Sequence, residues 1–310
     1  MAGKAFQAAL QRDVPLILDG GLATQLEAQG CDIGNALWSA SLLQTAPEEI
    51  VAATRAYLEA GAECVATATY QASHEGYAAL GLSAKEADDL MLLSVALAER
   101  ARSEYLRAHA ECDFVPLVAA SLGPYGAMLH DGSEYRGDYG VTAETLRGFH
   151  APRLELLGDS GADVLALETI PSHLEAEVLA ELLAGCAMPA WISFSCRDGA
   201  QLVDGTPIED VAAMFAEHPR VVAVGINCTP PQFAPELVRR VCAVVPDKAV
   251  MAYPNSGETY HAEDNSWSGT VTPGDCAAAA RSWVEVGARI VGGCCRMGPE
   301  HIQAMRNELR

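Results

Sequence analysis

Three cysteines are the residues of this chain whose types and spacing most clearly suggest chemistry. Cys294 and Cys295 are adjacent and follow two glycines, Gly292 and Gly293, near the C-terminus, while Cys228 ends an apolar run earlier in the chain. Three soft sulfur ligands suit zinc, and three protein ligands leave the fourth tetrahedral position free for water or a substrate. The alternative is that all three are buried apolar thiols, the usual role of free cysteines in a core.

The charge of such a site indicates a reaction. Three thiolates around a zinc dication leave one net negative charge, so the centre polarises water poorly but keeps a bound substrate thiolate electron-rich and deprotonated. Attack of that sulfur on a methyl group is favoured when a sulfonium or quaternary ammonium carries the methyl, because opposite charges cancel as the bond forms. A hydrolase or lyase using metal-bound water fits less well, because those sites favour histidine and carboxylate ligands. A zinc-binding module without catalysis is a third alternative.

Composition limits the other classes of function. Half of the 310 residues are hydrophobic and 20% are charged, which excludes disorder, and the apolar runs are too short to span a bilayer. The N-terminus lacks the apolar stretch of a secretory signal, and ten cysteines then indicate a reducing compartment. The net charge of −21 disfavours nucleic acid and anionic membranes as partners. We therefore expect a cytoplasmic protein that acts on small molecules.

Short β-rich runs followed by turn residues alternate with helix-period segments along the whole chain. The predicted strands are 16–20, 64–69, 115–121, 164–168, 190–195, 221–227, 249–253 and 289–293. The predicted helices between and after them are 47–60, 83–109, 143–160, 173–185, 207–217, 231–243, 273–286 and 299–309. The strands are almost continuously apolar, which is typical of a parallel sheet buried on both faces.

Eight β/α units predict an α/β fold with a single (β/α)8 TIM barrel, residues 1–310 forming one domain. A doubly wound open sheet is the alternative, but no strand is followed by the Gly-x-Gly-x-x-Gly signal that such a fold often carries. Gly61, Gly161 and Gly287 precede strands two, four and eight, and each fits a helix C-cap. The longest loops, 20–45, 122–141 and 254–271, follow strands and so lie at the C-terminal face, where barrel active sites are built.

Cys228 and Cys294 fall just past strands six and eight, on that same face. Neighbouring side chains of a strand point in opposite directions, so Cys294 and Cys295 can share an ion only if the backbone leaves strand geometry. Gly292 and Gly293 give it that freedom. These positions favour a zinc site over buried thiols or a strained vicinal disulfide.

The remaining cysteines lack ligand spacing and are expected in the core or at the surface. They are Cys31, Cys64, Cys112, Cys186, Cys196, Cys242 and Cys276. Among the histidines, only His130 and His261, on long loops, are retained as weak candidates for the site.

Over essentially its whole length the chain resembles homocysteine S-methyltransferases, zinc enzymes with an eight-stranded α/β barrel. The resemblance depends on a set of motifs that is more specific than any one of its members. The motifs are Asp-Gly-Gly at 19–21, Ser-Leu-Gly-Pro-Tyr-Gly at 121–126, Asp-Gly-Ser-Glu-Tyr-Arg-Gly-Asp-Tyr at 131–139, Glu-Thr-Ile-Pro at 168–171, Gly-Ile-Asn-Cys at 225–228, Tyr-Pro-Asn-Ser-Gly-Glu at 253–258 and Gly-Gly-Cys-Cys-Arg at 292–296.

The resemblance implies that Cys228, Cys294 and Cys295 bind one zinc ion per chain. It also implies that the homocysteine sulfur occupies the open position, so that no side chain is needed as a general acid or base.

It further implies that Asp19, with the backbone of Gly20, and Glu168 hold the amino-acid part of homocysteine. Two carboxylates at the ends of strands one and four are suited to an α-ammonium group. The alternatives are a turn-forming role for Asp19 and a structural ion pair or helix N-terminal role for Glu168.

Within the family, residues 135–139 resemble the branch that uses S-methylmethionine, with S-adenosylmethionine as a poorer donor. The betaine-using branch carries an aromatic residue after the strand-four glutamate, where this chain has Thr169. This difference makes betaine the less favoured alternative donor. Selenocysteine or selenohomocysteine remains an alternative acceptor, and the sequence carries no signature of oligomeric state.

Aromatic residues on the long loops suggest where a cationic donor binds. Tyr125, Tyr135 and Trp267 could face a sulfonium with their rings, or could simply pack the loops.

Four polar residues near the cysteines complete the predicted site. Asn227 could donate to a thiolate or fix the neighbouring loop, and Asn255 and Ser256 could hold a substrate carboxylate. Arg296 could place a positive charge near the anionic zinc centre or pair with an acidic helix.

Overall fold

The fold is that of a computed structural model that describes residues 4–33, 38–261, 266–269 and 271–310. Eight strands form one parallel sheet, in which each strand from two to eight pairs with its neighbours in sequence and strand one pairs with strand eight. In chain order, strands one to eight are Leu16–Ile17, Cys64–Ala66, Leu117–Leu122, Val164–Ile170, Ala190–Phe194, Val221–Asn227, Ala249–Tyr253 and Ala288–Val291.

The sheet closes on itself between strands one and two. Leu18 forms a parallel bridge with Cys64, and the backbone N–H of Glu63 donates to the carbonyl of Ile17 at 2.7 Å. The N–H of Asp19 then donates to the carbonyl of Cys64 at 3.0 Å. The predicted (β/α)8 barrel is therefore confirmed.

Helices surround the strands, and most of the predicted ones are present with shifts at their ends. The α-helices are Lys4–Leu10, Leu22–Ala28, Leu42–Thr45, Pro47–Glu59, His74–Ala79, Ala84–Ala108, Tyr125–Leu129, Ala143–Gly158, His173–Leu183, Ile208–Ala213, Ala234–Val244, Pro273–Glu285 and Pro299–Leu309. Short 3-10 helices occur at Trp38–Ser41, Ser133–Tyr135 and Pro231–Phe233.

The core has two layers, one inside the barrel and one between the strands and the helices. Inside the barrel, Trp191 and Met251 pack with Phe6 from the N-terminal helix Lys4–Leu10. The rings of Phe6 and Trp191 lie 5.8 Å apart. This helix, which the sequence patterns did not predict, covers the inward-facing residues of the barrel and so removes apolar surface from water.

Two sequence-based expectations need correction. Gly61 and Gly287 have the positive φ of a C-cap, at 97° and 120°, but Gly161 does not. The preceding helix ends at Gly158, and Gly161 instead leaves space for the Glu99 carboxylate, which an added Cβ would meet at 2.8 Å. The long loops also contain short elements, including the antiparallel strands Thr259–His261 and Ser266–Ser268.

Among the described residues, no helix has both the length and the apolar character needed to cross a membrane.

Candidate metal centre and active site

The sulfur atoms of Cys228, Cys294 and Cys295 lie within 4.8 Å of one another. Cys228 Sγ and Cys295 Sγ are 3.6 Å apart. Zinc–sulfur bonds of about 2.3 Å in a tetrahedron place sulfur atoms about 3.8 Å apart, so this spacing fits zinc. Within the described part of the chain, no other three His, Cys, Asp or Glu residues form such a group.

The backbone leaves strand geometry at each of these cysteines. Cys228 has φ 48°, in the left-handed region, so its side chain points away from the direction strand six would impose. After strand eight, the N–H of Cys294 donates to the carbonyl of Pro254 at 2.9 Å, which fixes the turn at the cysteine pair.

Gly292 and Gly293, before the cysteine pair, are needed because there is no space for a side chain. The sequence had suggested a different reason, that they allow unusual backbone angles. A Cβ at Gly292 would meet Leu18 Cβ at 2.6 Å, and one at Gly293 would meet Met297 Cβ at 2.6 Å. The diglycine therefore lets the chain after strand eight pass close to strand one.

Asn227, at the end of strand six, joins the metal centre to strand four. Its Nδ2 lies 3.9 Å from Cys294 Sγ and donates to Thr169 Oγ1 at 2.8 Å. Its Oδ1 accepts from the N–H of Thr169 at 2.7 Å and from Ser193 Oγ at 2.8 Å. The side chain therefore contacts the sulfur of Cys294 and links the ends of strands four and six.

The thiols influence one another's ionisation. Hydrogen bonds from Cys228 and Cys294 hold the pKa of Cys295 well below its usual range. The hydrogen bond to Cys228, then that to Cys295 and burial, raise the pKa of Cys294. Ionisation of one thiol in the cluster therefore opposes ionisation of the others. A dication would offset the repulsion between three thiolates.

Tyr135 is the predicted aromatic residue that reaches the metal centre. Its hydroxyl oxygen lies 3.6 Å from Cys228 Sγ. Burial raises the pKa of Tyr135 well above its usual value, and the negative charges of Cys228 and Cys295 add to this effect. The phenol therefore stays protonated and can donate to sulfur.

Asp19 and Glu168 are carboxylates that follow or end strands one and four, and both have raised pKa values. Burial raises the pKa of Asp19 to about 7, and the charge of Glu168 adds to this effect although the N–H of Ala66 donates to Asp19 at 2.7 Å. Burial likewise raises the pKa of Glu168 to about 7. Two buried carboxylates with raised pKa values are suited to a cationic ligand, which favours their charged forms.

Glu168 is oriented by two side chains that the sequence did not single out. Ser121 Oγ donates to its Oε1, and the Tyr253 hydroxyl donates to its Oε2 at 3.1 Å. Trp191 Nε1 in turn donates to the Tyr253 hydroxyl at 3.1 Å. Ser121 and Tyr253 lie near the carboxyl ends of strands three and seven, and polar residues at those positions were the available signal.

Gly20 follows Asp19 at a point of close approach. An added Cβ would meet the carbonyl oxygen of Met297 at 2.1 Å and Tyr57 Cε1 at 2.9 Å. Glycine is therefore required by packing at the position directly after Asp19.

Asn255 and Ser256 line a cavity of about 280 Å³ that extends to Ala279 and Trp283 of the helix Pro273–Glu285 and is not lined by the three cysteines. The N–H of Ser256 donates to the carbonyl of Cys295 at 3.1 Å, which ties the cavity wall to the cysteine pair. Asn255 Oδ1 is buried without a hydrogen-bond partner among the described residues. That unpaired acceptor calls for a donor, whereas a substrate carboxylate would offer only acceptors, so the geometry favours another partner for Oδ1.

Three other predicted residues have different surroundings. The ring of Tyr125 packs against Phe149 and Tyr139, at centroid distances of 5.2 Å and 5.6 Å. Arg296 Nε donates to Glu258 at 2.8 Å, and its guanidinium lies 3.9 Å from Glu27 of the helix Leu22–Ala28. Trp267 lies on the strand Ser266–Ser268, but its side chain is outside the described part of the molecule.

The two weak histidine candidates are not added to the metal group. His130 follows the helix Tyr125–Leu129 with φ 52° and does not join the three cysteines. The side chain of His261 lies outside the described residues. All ten cysteines are in the described part of the chain and are free thiols.

The fold and the site together define a class: a (β/α)8 barrel with a three-cysteine metal site at the carboxyl ends of its strands. Comparison with known proteins is consistent with this class. The family model for homocysteine S-methyltransferase matches residues 16–309. The chain belongs to the homocysteine S-methyltransferase family.

Named relatives cover nearly the whole chain. It is 47% identical over 291 residues to Homocysteine S-methyltransferase YbgG of Bacillus subtilis (strain 168), covering 93% of this chain and 92% of the relative. It is 44% identical over 306 residues to Selenocysteine Se-methyltransferase of Brassica oleracea var. italica, covering 94% and 88%. The crystal structure of the metallated form of the homocysteine methyltransferase MmuM from Escherichia coli superposes with a TM-score of 0.87 at 42% identity, covering 98% of this chain and 99% of that one.

Proposed function

We propose that this enzyme transfers a methyl group from S-methylmethionine, or less efficiently from S-adenosylmethionine, to the sulfur of L-homocysteine, giving methionine. The observation that carries the proposal is the convergence of three cysteine sulfurs within 4.8 Å at the carboxyl end of the barrel. Family membership supports the same reaction class.

The proposed metal is zinc, held by Cys228, Cys294 and Cys295. The donor set supports it, because three thiolates prefer a soft or borderline cation and the sulfur spacing matches a zinc tetrahedron. When bound, zinc would lower the pKa of the homocysteine thiol and hold the thiolate at the remaining position. Asn227 Nδ2 and the Tyr135 hydroxyl would donate to the cysteine sulfurs and limit their charge.

Asp19 and Glu168 would bind the α-ammonium group of homocysteine. Their raised pKa values support this role. Burial disfavours the charged form of each carboxyl group, and a bound ammonium ion would stabilise that form. Gly20 would contribute the close backbone approach to the amino-acid part. Ser256, which is hydrogen-bonded to the backbone of Cys295, and Asn255 would contact the polar end of a substrate, with Asn255 Oδ1 accepting from a donor group.

The reaction requires no side-chain acid or base. The thiolate sulfur of homocysteine forms a bond to the methyl carbon, the bond from that carbon to the donor sulfonium breaks, and its electron pair remains on the donor sulfur. Negative thiolate and positive sulfonium become two neutral thioethers. Tyr135, with Tyr125 and Trp267 as further candidates, would line the donor side and keep water out.

The decisive experiment is a panel of methyl donors assayed with homocysteine, with zinc content measured in the same sample. We expect methionine formation with S-methylmethionine, weaker activity with S-adenosylmethionine, little with glycine betaine and about one zinc ion per chain. Full turnover by metal-free protein would contradict the proposal.

A second acceptor is suggested by one relative. The similarity to a selenocysteine Se-methyltransferase, at 44% identity, makes selenocysteine or selenohomocysteine a candidate acceptor for the same site. Adding both selenium compounds to the assay distinguishes them by their kcat/KM relative to homocysteine. We also propose that residues 1–310 act as one domain, because all eight strands belong to one sheet.

A further inference from the structure

Glu134 is a buried carboxylate with one unpaired oxygen, on the loop that also carries Tyr135. It lies on the 3-10 helix Ser133–Tyr135, in the loop after strand three, and is 3% exposed. Its Oε2 has no hydrogen-bond partner in the described part of the chain. Burial raises the pKa of Glu134 to about 7. Such a group destabilises the empty protein, so its presence calls for an explanation.

The nearest cation on the same loop is already occupied. Arg136 donates to the carbonyl of Asp131 at 3.1 Å and to Ser133 Oγ at 3.0 Å, and its side chain is 53% exposed. Burial and the negative charges of Asp131 and Cys295 raise the pKa of Glu134. The positive charge of Arg136 lowers it, but by less. Arg136 therefore does not neutralise the buried carboxylate.

Glu175, a second buried carboxylate, has a structural role and serves as a comparison for Glu134. Glu175 is fully buried, and each of its oxygens has a partner. Its Oε1 accepts from the N–H of Tyr125 at 2.7 Å and lies 2.7 Å from His150 Nε2, and its Oε2 accepts from the Tyr139 hydroxyl at 3.1 Å. Glu134 has no comparable set, so its carboxylate is not explained by holding the loop together.

Two tyrosines, Tyr70 and Tyr135, lie close enough to Glu134 for its charge to act on them. Burial, and then the charge of Glu134, raise the pKa of Tyr70 well above its usual value. The same charge acts on Tyr135, whose hydroxyl lies 3.6 Å from Cys228 Sγ. The loop packs closely on the helix Tyr125–Leu129, because a Cβ added at Gly126 would meet the backbone nitrogen of Glu134 at 2.5 Å. A negative charge close to two tyrosines matches the chemistry that recognises an organic cation.

We propose that Glu134 is the anionic contact for the sulfonium of the methyl donor. This inference rests on the proposed function and specifies how its second substrate is recognised. The donor sulfonium would lie between the homocysteine sulfur and the Glu134 carboxylate, with tyrosine rings at its sides. The buried carboxylate that is unpaired in the protein alone would then gain its missing positive partner.

This placement assigns Glu134 to donor binding rather than to the methyl-transfer step. The positive charge of the donor disappears as its methyl carbon bonds to the homocysteine sulfur and its electron pair returns to the donor sulfur. Attraction to Glu134 is therefore strongest in the bound donor and weaker in the transition state. The neutral thioether product loses the attraction and is released more readily.

The test compares Glu134→Gln with the wild-type holoenzyme. The change keeps the shape of the side chain and removes its charge. We expect the KM for S-methylmethionine to rise at least about tenfold, with kcat unchanged or higher. Zinc content and the KM for homocysteine should remain within about twofold of wild type. Asp138→Asn is the matched control, because it removes a charge from the same loop at a side chain that is 79% exposed, and it should behave as wild type.

Binding measurements separate a charge effect from a packing effect. Wild type should bind S-methylmethionine, which carries the sulfonium, at least about tenfold more tightly than neutral methionine, and Glu134→Gln should lose this preference. An unchanged donor KM in Glu134→Gln, or equal weakening for both ligands, would overturn the inference. If Glu134→Gln does not fold, the wild-type protein still provides a test, because equal binding of S-methylmethionine and methionine would overturn the inference. Glu134→Asp keeps the charge and should still bind S-methylmethionine more tightly than methionine.

The failure of the broader proposal gives a different result. If wild type transfers no methyl group from any sulfonium to homocysteine, the proposed function fails whatever the variant does. If wild type is active and its donor preference does not depend on residue 134, only the role of Glu134 fails.

Discussion

Asn227 holds Thr169 through two hydrogen bonds, accepting from its N–H at 2.7 Å and donating to its Oγ1 at 2.8 Å. Thr169 has φ 65°, a left-handed conformation that costs a β-branched residue about 1–2 kcal/mol. The paired hydrogen bonds offset this strain and bring the end of strand four against the end of strand six. Glu168 and Cys228, the neighbours of these residues in sequence, are thereby held at the same end of the barrel.

Replacing Asn227 by alanine should therefore weaken both the fold and the metal site. We expect Asn227→Ala to lower the free energy of unfolding by about 2–4 kcal/mol, because it leaves the buried N–H of Thr169 without a partner. Zinc should also dissociate faster. Denaturant unfolding and the rate of zinc transfer to a chelator measure the two effects. Ser195→Ala is the control, because Ser195 contacts the same threonine only through a 3.4 Å hydrogen bond to its carbonyl.

Metal binding should depend on the three clustered cysteines and on no other cysteine. Cys228→Ser replaces a soft ligand by a weak hard one, so we expect loss of bound zinc and at least about a hundredfold loss of kcat/KM. Cys186→Ser is the matched control, since Cys186 is partly buried and its Sγ contacts the carbonyl of Leu182 at 3.8 Å. Elemental analysis of both variants, purified in parallel, measures the zinc. Equal zinc in the two proteins would contradict the assignment of the site.

The pH dependence of homocysteine binding should report the ionisation of Asp19 and Glu168. Both carboxyl groups have a pKa of about 7, mainly because of burial, so they are largely neutral below that pH and charged above it. Only the charged forms attract an α-ammonium group. Affinity for homocysteine relative to 4-mercaptobutyrate, which has the thiol but no amino group, should therefore rise between about pH 6 and pH 8.

A variant and a competition assay make this pH prediction specific. Glu168→Gln cannot ionise, so the rise in relative affinity with pH should be smaller in that variant. Competition by each thiol in the methyl-transfer assay gives the two affinities. A ratio that does not change with pH in wild type would show that the carboxylates do not face the ammonium group.

The barrel and the metal ligands were predictable because they depend on local signals. Buried parallel strands read as continuous apolar runs, and Cys228 and Cys294 follow the strands they were expected to follow. The N-terminal helix was not predictable in the same way. Phe6 is buried against Trp191, a residue far away in sequence, so its role depends on a contact that no local pattern records.

The finer features of the site also depend on contacts between distant segments. Nothing near Thr169 in sequence indicates its left-handed backbone, which depends on Asn227. Glu134 was part of a recognised motif, but its burial and its unpaired Oε2 become visible only in the folded loop after strand three. Sequence thus identifies residue types at strand ends, whereas burial and pairing decide what each residue does.

Gly225 and Gly148 provide a test of how tightly strand six, which precedes Cys228, is packed. Gly225 lies on strand six, where an added Cβ would meet the carbonyl oxygen of Met251 on strand seven at 1.9 Å. That backbone oxygen belongs to the sheet and cannot move without disturbing the pairing of the two strands. Gly225→Ala should therefore lower the free energy of unfolding by about 3 kcal/mol or more and reduce zinc retention, because Cys228 follows only three residues later.

Gly148 is the matched comparison, because it lies on the exposed side of the helix Ala143–Gly158 and an added Cβ would meet nothing within 4 Å. Gly148→Ala should raise the free energy of unfolding by about 0.5–1 kcal/mol, since alanine restricts the unfolded chain and favours the helix. The two changes add the same methyl group, so thermal unfolding and zinc content of both variants separate the effect of local space from that of backbone entropy. Similar changes in unfolding temperature and zinc content in both variants would contradict the close packing of strands six and seven. They would also contradict the inference that this packing sets the position of Cys228.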